Sequence, residues 1–446
     1  MSETKLVIKT QTFHPKDGAD LLKILGQAKE NSLTIKQYGG TYPATLDGAE
    51  VMISLDHMKR IVWYDPEEQT LTVEPGLMLE ELLKRMEYLN YTLELYGTLP
   101  NMTVADAISV GLIGSSGSIA HCLKACQVVQ AEGCLVEWTW PDYDQVSENV
   151  NGCFPSLQNL VCGLGMVGII TSATLTCIPL HFAQEVSYDC SVYDILERFP
   201  EMSESVYTHF HWFPLLNRVV VTKTLPVRIQ QSFLQPFWKK WLEMICQGLY
   251  WLVNRIGPFL SWYFPSCSRP FSGAQLNLML MTSAHRTHYC FRPQKFVSVS
   301  SYCRGIKWAF PADRLHSVMK EIEVWAEDNT AFCSTPVLIS HQTHSKFRHP
   351  FLSPQAKDKT CTLWSDWFST SSINLGYSAP MAEFEAILQN NGGLKCWSAG
   401  PIYASPLIGQ MYPGYRHWCR VRSALDPCGT FKSAYVEGDL IADSGY

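Results

Sequence analysis

A mixed helix-and-strand fold is what the sequence predicts, α+β or α/β over the first ~180 residues and strand-rich with helices beyond them. Helical and strand-like periodicities alternate along that first stretch. The composition, 46% hydrophobic and 17% charged, supplies enough apolar material for a large core. The length, 446 residues, corresponds to two or three domains at ~150 residues each. The same balance excludes disorder, collagen and coiled coil. With 35 Lys+Arg against 41 Asp+Glu and no Lys/Arg-dense tract, the chain has no electrostatic footprint for nucleic acid. Residues 1–15 lack the apolar run and cleavage site of a secretory signal, so an intracellular setting is expected and the 16 cysteines are expected to be free thiols. No CxxC pair occurs, and no metal site is expected.

Residues 17–28 place Leu21, Leu22, Ile24 and Leu25 on one helical face, with Asp17 as the cap. Short β-like runs follow at 33–35, 51–55, 60–64 and 70–73, the last two joined by the turn Asp65-Pro66-Glu67-Glu68. Residues 78–89 carry Leu79, Leu82, Leu83 and Met86 at helical spacing. A turn from Leu164 feeds a buried strand closed by Pro179. Beyond Phe182 come strands at 207–213 and 218–222, then an aromatic-heavy segment, 233–264. Lys239, Lys240, Glu243 and Arg255 divide that segment into runs too short to span a bilayer. A helix over about 244–254, with Trp and Tyr beside basic residues, suits either a peripheral or monotopic membrane contact or packing under a second domain. A helix is predicted over 310–328, and the chain closes with a helix, an Asp-Pro stop and a turn from Arg420 onward.

Two glycine-bearing loops follow strand-like runs. One is Tyr38, Gly39, Gly40, Thr41, Tyr42 and Pro43, and the other runs over 103–118. Glycine lets backbone approach a ligand closely, and exposed N–H and hydroxyl groups can bind diphosphate oxygens. Neither loop is a GxGxxG fingerprint or a P-loop. Their order, with Val73-Glu-Pro-Gly76 between them and Gly163-Leu-Gly-Met-Val-Gly168 after, points to a known group. The chain resembles the FAD-linked oxidases of the vanillyl-alcohol oxidase type, in their sugar-lactone branch of gulonolactone and arabinonolactone oxidases. The resemblance is carried by the loop at 38–44, by Leu71-Thr-Val-Glu-Pro-Gly76, and by Ala107-Ile-Ser109 with Gly111. Val167 to Leu175, His209-Phe-His-Trp-Phe-Pro214, the Trp-rich insert and the terminal run 421–435 extend it over nearly the whole chain.

The resemblance implies an α+β architecture: a two-subdomain FAD-binding domain over 1–181, an α+β cap over 182–410 with the insert at 233–264, and a C-terminal segment, 411–446, returning to the FAD domain. It implies hydride transfer from a sugar 1,4-lactone to flavin N5, with reoxidation by oxygen or another acceptor and an ascorbate-type product. Its cofactor contacts fall on the first loop and on Ala107, Ser109, Gly111, Gly114, Ser115, Ser116, Gly168 and Ile170. It also implies association with an intracellular membrane, endoplasmic reticulum or mitochondrial. Thr41 stands where many members carry the histidine that bonds the flavin, so the FAD is expected to be non-covalent. Asp106 and Ile113 replace a glycine and a histidine of the second loop. Leu338 and Ser340 stand at the family's Glu-x-Arg pair, while Cys396 and Ala399 replace a histidine and a lysine around a retained Trp397. Those losses raise the alternative of a catalytically silent relative that keeps the fold as a binding or structural protein. His341 and His344, beside the altered strand, are candidate replacement acid–base groups. His209 and His211 share one strand face, where pocket lining and plain packing both fit.

Overall fold

Residues 11–30, 35–38, 51–95, 102–114, 117–141, 155–202, 207–227, 237–283, 286–289, 303–333, 335–343, 349–355, 359–368, 379–398 and 408–431 are described by the structure, a computed structural model. Three short strands, β1 (Gln11–Phe13), β2 (Ile35–Tyr38) and β3 (Val51–Ser54), form a parallel sheet in the order β1-β3-β2. The helix Gly18–Glu30 lies between the first two, and Asp17 caps it by accepting the Asp20 N–H at 2.9 Å.

Next come β4 (Ile61–Asp65), β5 (Thr70–Val73), β6 (Tyr91–Thr92), β7 (Leu123–Val129), β8 (Leu135–Thr139), β9 (Ile169–Thr176) and β10 (Ile178–Pro179). Five of them make an antiparallel sheet ordered β4-β5-β9-β7-β8, and β6 pairs with β10. The β4–β5 turn is held by the Asp65 carboxylate, which accepts the Glu67 and Glu68 N–H groups at 3.0 and 3.2 Å. Antiparallel pairing in the larger sheet decides for α+β over α/β. The helix Leu79–Tyr88 buries Leu79, Leu82, Leu83 and Met86, the side its spacing selects. The resulting core also takes in Leu352, Trp397, Tyr412, Tyr415 and Trp418. In the helix Tyr415–Leu425, the Trp418 indole donates to the Asn159 carbonyl at 3.1 Å.

A second sheet holds β11 (Phe182–Ser191), β12 (Thr208–Phe213), β13 (Arg218–Val227), β14 (Arg286–Tyr289), β15 (Cys303–Pro311), β16 (Val337–Thr343), β17 (Lys359–Phe368) and β18 (Leu394–Lys395). It is antiparallel throughout, in the order β14-β11-β13-β12-β16-β17-β15-β18. One face sends Phe210, Trp212, Val221, Ile306, Phe310, Ile339 and Leu363 into a core shared with side chains of the helices Val192–Met202, Leu315–Asp328 and Ala379–Asn390.

Two elements differ from the sequence reading. The helix expected over 310–328 begins at Leu315, because Phe310 belongs to β15 and its ring fills the second core. Alternation across the sheet overrides helical spacing there. The short helix expected in the insert is a 27-residue one, Phe237–Tyr263. Lys, Glu and Arg interrupt hydropathy without interrupting a helix, since they are good helix formers. Cys246, Asn254, Gly257, Pro258 and Ser261 are its buried residues among those described, and the helix Ser268–Ser283 packs on it. Gln275 donates to the Asn254 side-chain oxygen at 2.8 Å, and Phe271 packs over Gly257. Leu276 and Met279 of the second helix then seat this hairpin on Phe213 and Val220 of the cap sheet.

Candidate active site

Antiparallel register puts directly paired residues on the same face of a sheet. On the face opposite the apolar core, one rung crosses six adjacent strands as Ser187, Thr222, His209, Ser340, Thr362 and Ala309. The neighbouring rung reads Asp189, Val220, His211, Leu338, Trp364 and Lys307. Hydroxyls join along the first rung: Ser187 to Thr222 at 2.8 Å and Ser340 to Thr362 at 2.6 Å. Glu185, paired with Thr224 one step further along β11, is also buried. Burial pulls His209 down to about 4 against the attraction of Glu185. His211 is pulled down to about 3 by burial and by His209, again against Glu185. Both imidazoles are therefore neutral at physiological pH.

This face meets the second glycine-bearing loop at Lys307. Its buried amine donates to the Ile113 carbonyl and lies 5.8 Å from the Trp364 ring centroid. Burial pushes the Lys307 amine down, with Cys396 acting the other way. Ile113, Ala309 and Cys396 pack together at the same point. The Cys396 thiol is pushed up to about 12 by burial, so it is protonated and no nucleophile.

The second loop is built from the helix Val104–Ser109 and the turn after it. Thr103 and Asp106 form a capping box: the Thr103 hydroxyl lies 2.8 Å from the Asp106 carboxylate and accepts the Asp106 N–H at 3.2 Å. A free carboxylate here would repel a diphosphate. Asp106 is instead engaged by Thr103, and burial holds its pKa above the ordinary range despite those hydrogen bonds. Beyond the helix, Gly111 has φ +59°, and a Cβ there would stand 2.1 Å from the Cys162 sulfur, so only glycine fits. Cys162 and Leu164 donate backbone N–H groups to Ile108 and Ser109, zipping this loop to the one at 163–168. Gly168, at φ +147°, lets that second segment pass against Val128 and Val129.

The structure places Ala107, Ser109, Gly111 and Gly114 on one helix–turn segment that meets the sheet through Ile113, and Gly168 and Ile170 follow the run that Cys162 and Leu164 tie to it. Tyr38 ends β2. Gly39, Gly40, Thr41, Tyr42, Pro43, Ser115, Ser116 and His344 lie outside the described residues. His341 points to the other face of β16, against Phe199 with ring centroids 5.5 Å apart, away from both rungs. Leu338 and Ser340 do stand on the polar face. The sequence reading missed Glu185, Ser187, Thr222, Thr362 and Lys307. Their signal is period-two polarity inside otherwise apolar strands: Thr222 and Thr224 in β13, Thr360 and Thr362 in β17, and a lone lysine in β15.

The donor set fits a flavin in chemistry. Paired hydroxyls and neutral imidazoles share a sheet face with Lys307, which bonds the loop whose single acid is already engaged. Comparison with known proteins is consistent with that fit. Residues 10–139 match a profile described as FAD binding domain. Residues 173–438, more than half the chain, match one described as D-arabinono-1,4-lactone oxidase. The chain belongs to the D-arabinono-1,4-lactone oxidase family. By that membership it is an oxidoreductase. Similar relatives include the L-gulonolactone oxidase of Bos taurus, 24% identical over 95% of this chain and 94% of its own. The D-arabinono-1,4-lactone oxidase of Yarrowia lipolytica is 23% identical over 95% and 93%. Among solved structures, cholesterol oxidase from B. sterolicum superposes with a TM-score of 0.69 at 14% identity, covering 97% of this chain and 94% of that one, a likeness of fold.

Proposed function

We propose that this family member binds FAD non-covalently and oxidises a sugar 1,4-lactone of the L-gulono or D-arabinono type. The observation that carries the reading is the polar face of the cap sheet closing on the second loop at Lys307 and Ile113. When bound, FAD supplies the two-electron acceptor for the lactone carbon bearing the 2-hydroxyl, and oxygen or another acceptor regenerates it. The chain's own residues supply recognition and order. The Ser187–Thr222 and Ser340–Thr362 hydroxyl pairs can rotate to donate or accept, which suits the hydroxyls of a sugar lactone. Because burial disfavours their charged form, His209 and His211 serve as neutral hydrogen-bonding groups and not as proton acceptors. Lys307 holds the loop carbonyl of Ile113 in place, and the packed cluster of Ile113, Ala309 and Cys396 keeps water from that point.

The purified protein should be yellow and release its flavin on denaturation, with none left on the polypeptide. Anaerobic mixing with L-gulono- or D-arabinono-1,4-lactone should bleach the visible flavin band. Colourless protein would remove the cofactor from the reading. The second reading, a silent relative, is favoured by the apolar Leu338 and the short Ser340 on the polar face, where family members place a carboxylate and a guanidinium. Yellow protein that stays unbleached under saturating lactone would decide for it.

The reading extends to a lipid surface. Met244, Ile245, Leu249, Leu252, Ile256, Phe259 and Tyr263 of the helix Phe237–Tyr263 are 40–58% exposed and fall on one side of it. Its buried side carries Asn254, Gly257 and Ser261 toward a following helix whose Ser268, Ser272 and Gln275 are also buried. Apolar outside and polar inside is the reverse of a helix facing water. Among the described residues no helix is long and apolar enough to cross a membrane, so the contact proposed is a peripheral or monotopic one.

A further inference from the structure

Away from the junction, the parallel sheet β1-β3-β2 places three metal-binding side chains at one end. Phe13 pairs with Ile53, so His14 emerges alongside Ser54 at the carboxyl ends of β1 and β3. The turn after β3 is anchored on both sides. Leu55 and Met58 are buried, the Met58 N–H donates to Leu55 at 3.0 Å, and the Gly76 N–H donates to Met58 at 2.9 Å. Asp56 and His57 form its outward tip, and Ser54 hydrogen-bonds the Asp56 carboxylate. Asp56 Oδ1 lies 2.8 Å from His14 Nδ1 and 3.9 Å from His57 Nε2. The two imidazole rings meet edge-on at 5.6 Å, and one ligand atom from each of the three residues lies within 4.8 Å of the others.

We propose that His14, Asp56 and His57 form a mononuclear site for a divalent late transition ion, Zn2+ being the probe of choice. Bonds of about 2.0–2.2 Å in a tetrahedron set ligand atoms roughly 3.3–3.6 Å apart. The observed separations bracket that range, and exposed side chains need only small rotations to reach it. Two imidazole nitrogens and one carboxylate oxygen suit zinc, nickel, cobalt or copper, whereas calcium and magnesium demand all-oxygen shells. Water completes the coordination from the solvent side. Ser54 orients the carboxylate as an outer partner. The ion ties the end of β1 to the turn after β3, and it touches none of the residues placed at the junction with the cap.

Isothermal titration of the chelator-treated full-length protein with ZnCl2 tests this. One equivalent should bind, and the melting temperature should rise with Zn2+ concentration, as mass action requires of an ion that binds only folded protein. His14→Ala and His57→Ala should each weaken binding by more than about tenfold and cancel the melting shift. All three side chains lie at the surface, so the variants should melt like the parent when no metal is present. Absence of a saturable isotherm overturns the site. So does an unchanged isotherm in the double variant, which would transfer the zinc to exposed thiols such as Cys134 and Cys428. The Co2+ difference spectrum of the unmodified protein gives a readout free of any variant. Visible d–d bands without thiolate charge transfer support the site, and a thiolate band overturns it.

Discussion

The two faces of the cap sheet are built from alternating residues of the same strands, yet they obey different rules. On β12, Phe210 and Trp212 enter a core of aromatic and aliphatic side chains, while on the opposite face His209 lies between Thr222 and Ser340 and His211 between Val220 and Leu338. Along β12 both faces are buried. Burial of the first face follows from apolar area removed from water. Burial of the second removes imidazoles, hydroxyls and an amine from water, which costs free energy unless those groups find partners. A sheet carrying polar groups on a buried face is using stability from one side to maintain chemistry on the other.

The largest effect that separates the faces is expected at Trp212, which is fully buried. Trp212→Ala should lower stability by about 3–5 kcal/mol through the cavity it leaves. Denaturant unfolding checks this, and a loss under about 1 kcal/mol would mean that the apolar face is not the structural one.

A second expected effect belongs to the polar face and depends on pH. The unfolded chain protonates its histidines near 6.5, whereas native His209 and His211 resist until about 4 and about 3. Between those values the unfolded state binds more protons, so stability falls as acid is added and is fully present above ~6.5. Each histidine should contribute a slope of up to about 1.4 kcal/mol per pH unit in that window. Unfolding curves at a series of pH values should show a shallower slope for the His209→Gln/His211→Gln pair. Equal slopes would mean that the two imidazoles are solvated in the native protein.

The smallest expected effect on stability sharpens the comparison from outside the sheet. Leu249 and Leu252 are 45% and 42% exposed, so Leu249→Lys with Leu252→Lys should change stability by less than about 0.5 kcal/mol. The same pair should release the protein from the membrane pellet of a cell lysate. If the unmodified protein stays in the supernatant at low and high salt without detergent, the apolar side of the insert has no lipid partner.

Much of the fold could be read from local pattern, because local pattern is where its physics lies. Leu79, Leu82, Leu83 and Met86 announce their helix by spacing, and Asp65 announces its turn through the N–H groups that it accepts. The insert helix resisted, since its inner side is lined by Asn254, Gly257 and Ser261 and its outer side by leucine and isoleucine. Of the candidate site, runs close in sequence, such as Ala107, Ser109 and Gly111, could be named from the chain alone. Ser187, Thr222, His209, Ser340 and Thr362 come from five strands, and only the register joins them. Parity within β16 carried one further message. With Leu338 and Ser340 on the polar face, His341 must lie on the other.

Lys307 and the carbonyl it holds are 194 positions apart in the chain, one in β15 and the other in the loop after the helix Val104–Ser109. Parting the strand from that loop breaks this hydrogen bond and returns both groups to water, a net cost of about 1 kcal/mol. Any movement of that strand relative to the loop therefore begins by losing this one bond, so Lys307→Met is a direct probe of how firmly the two are held.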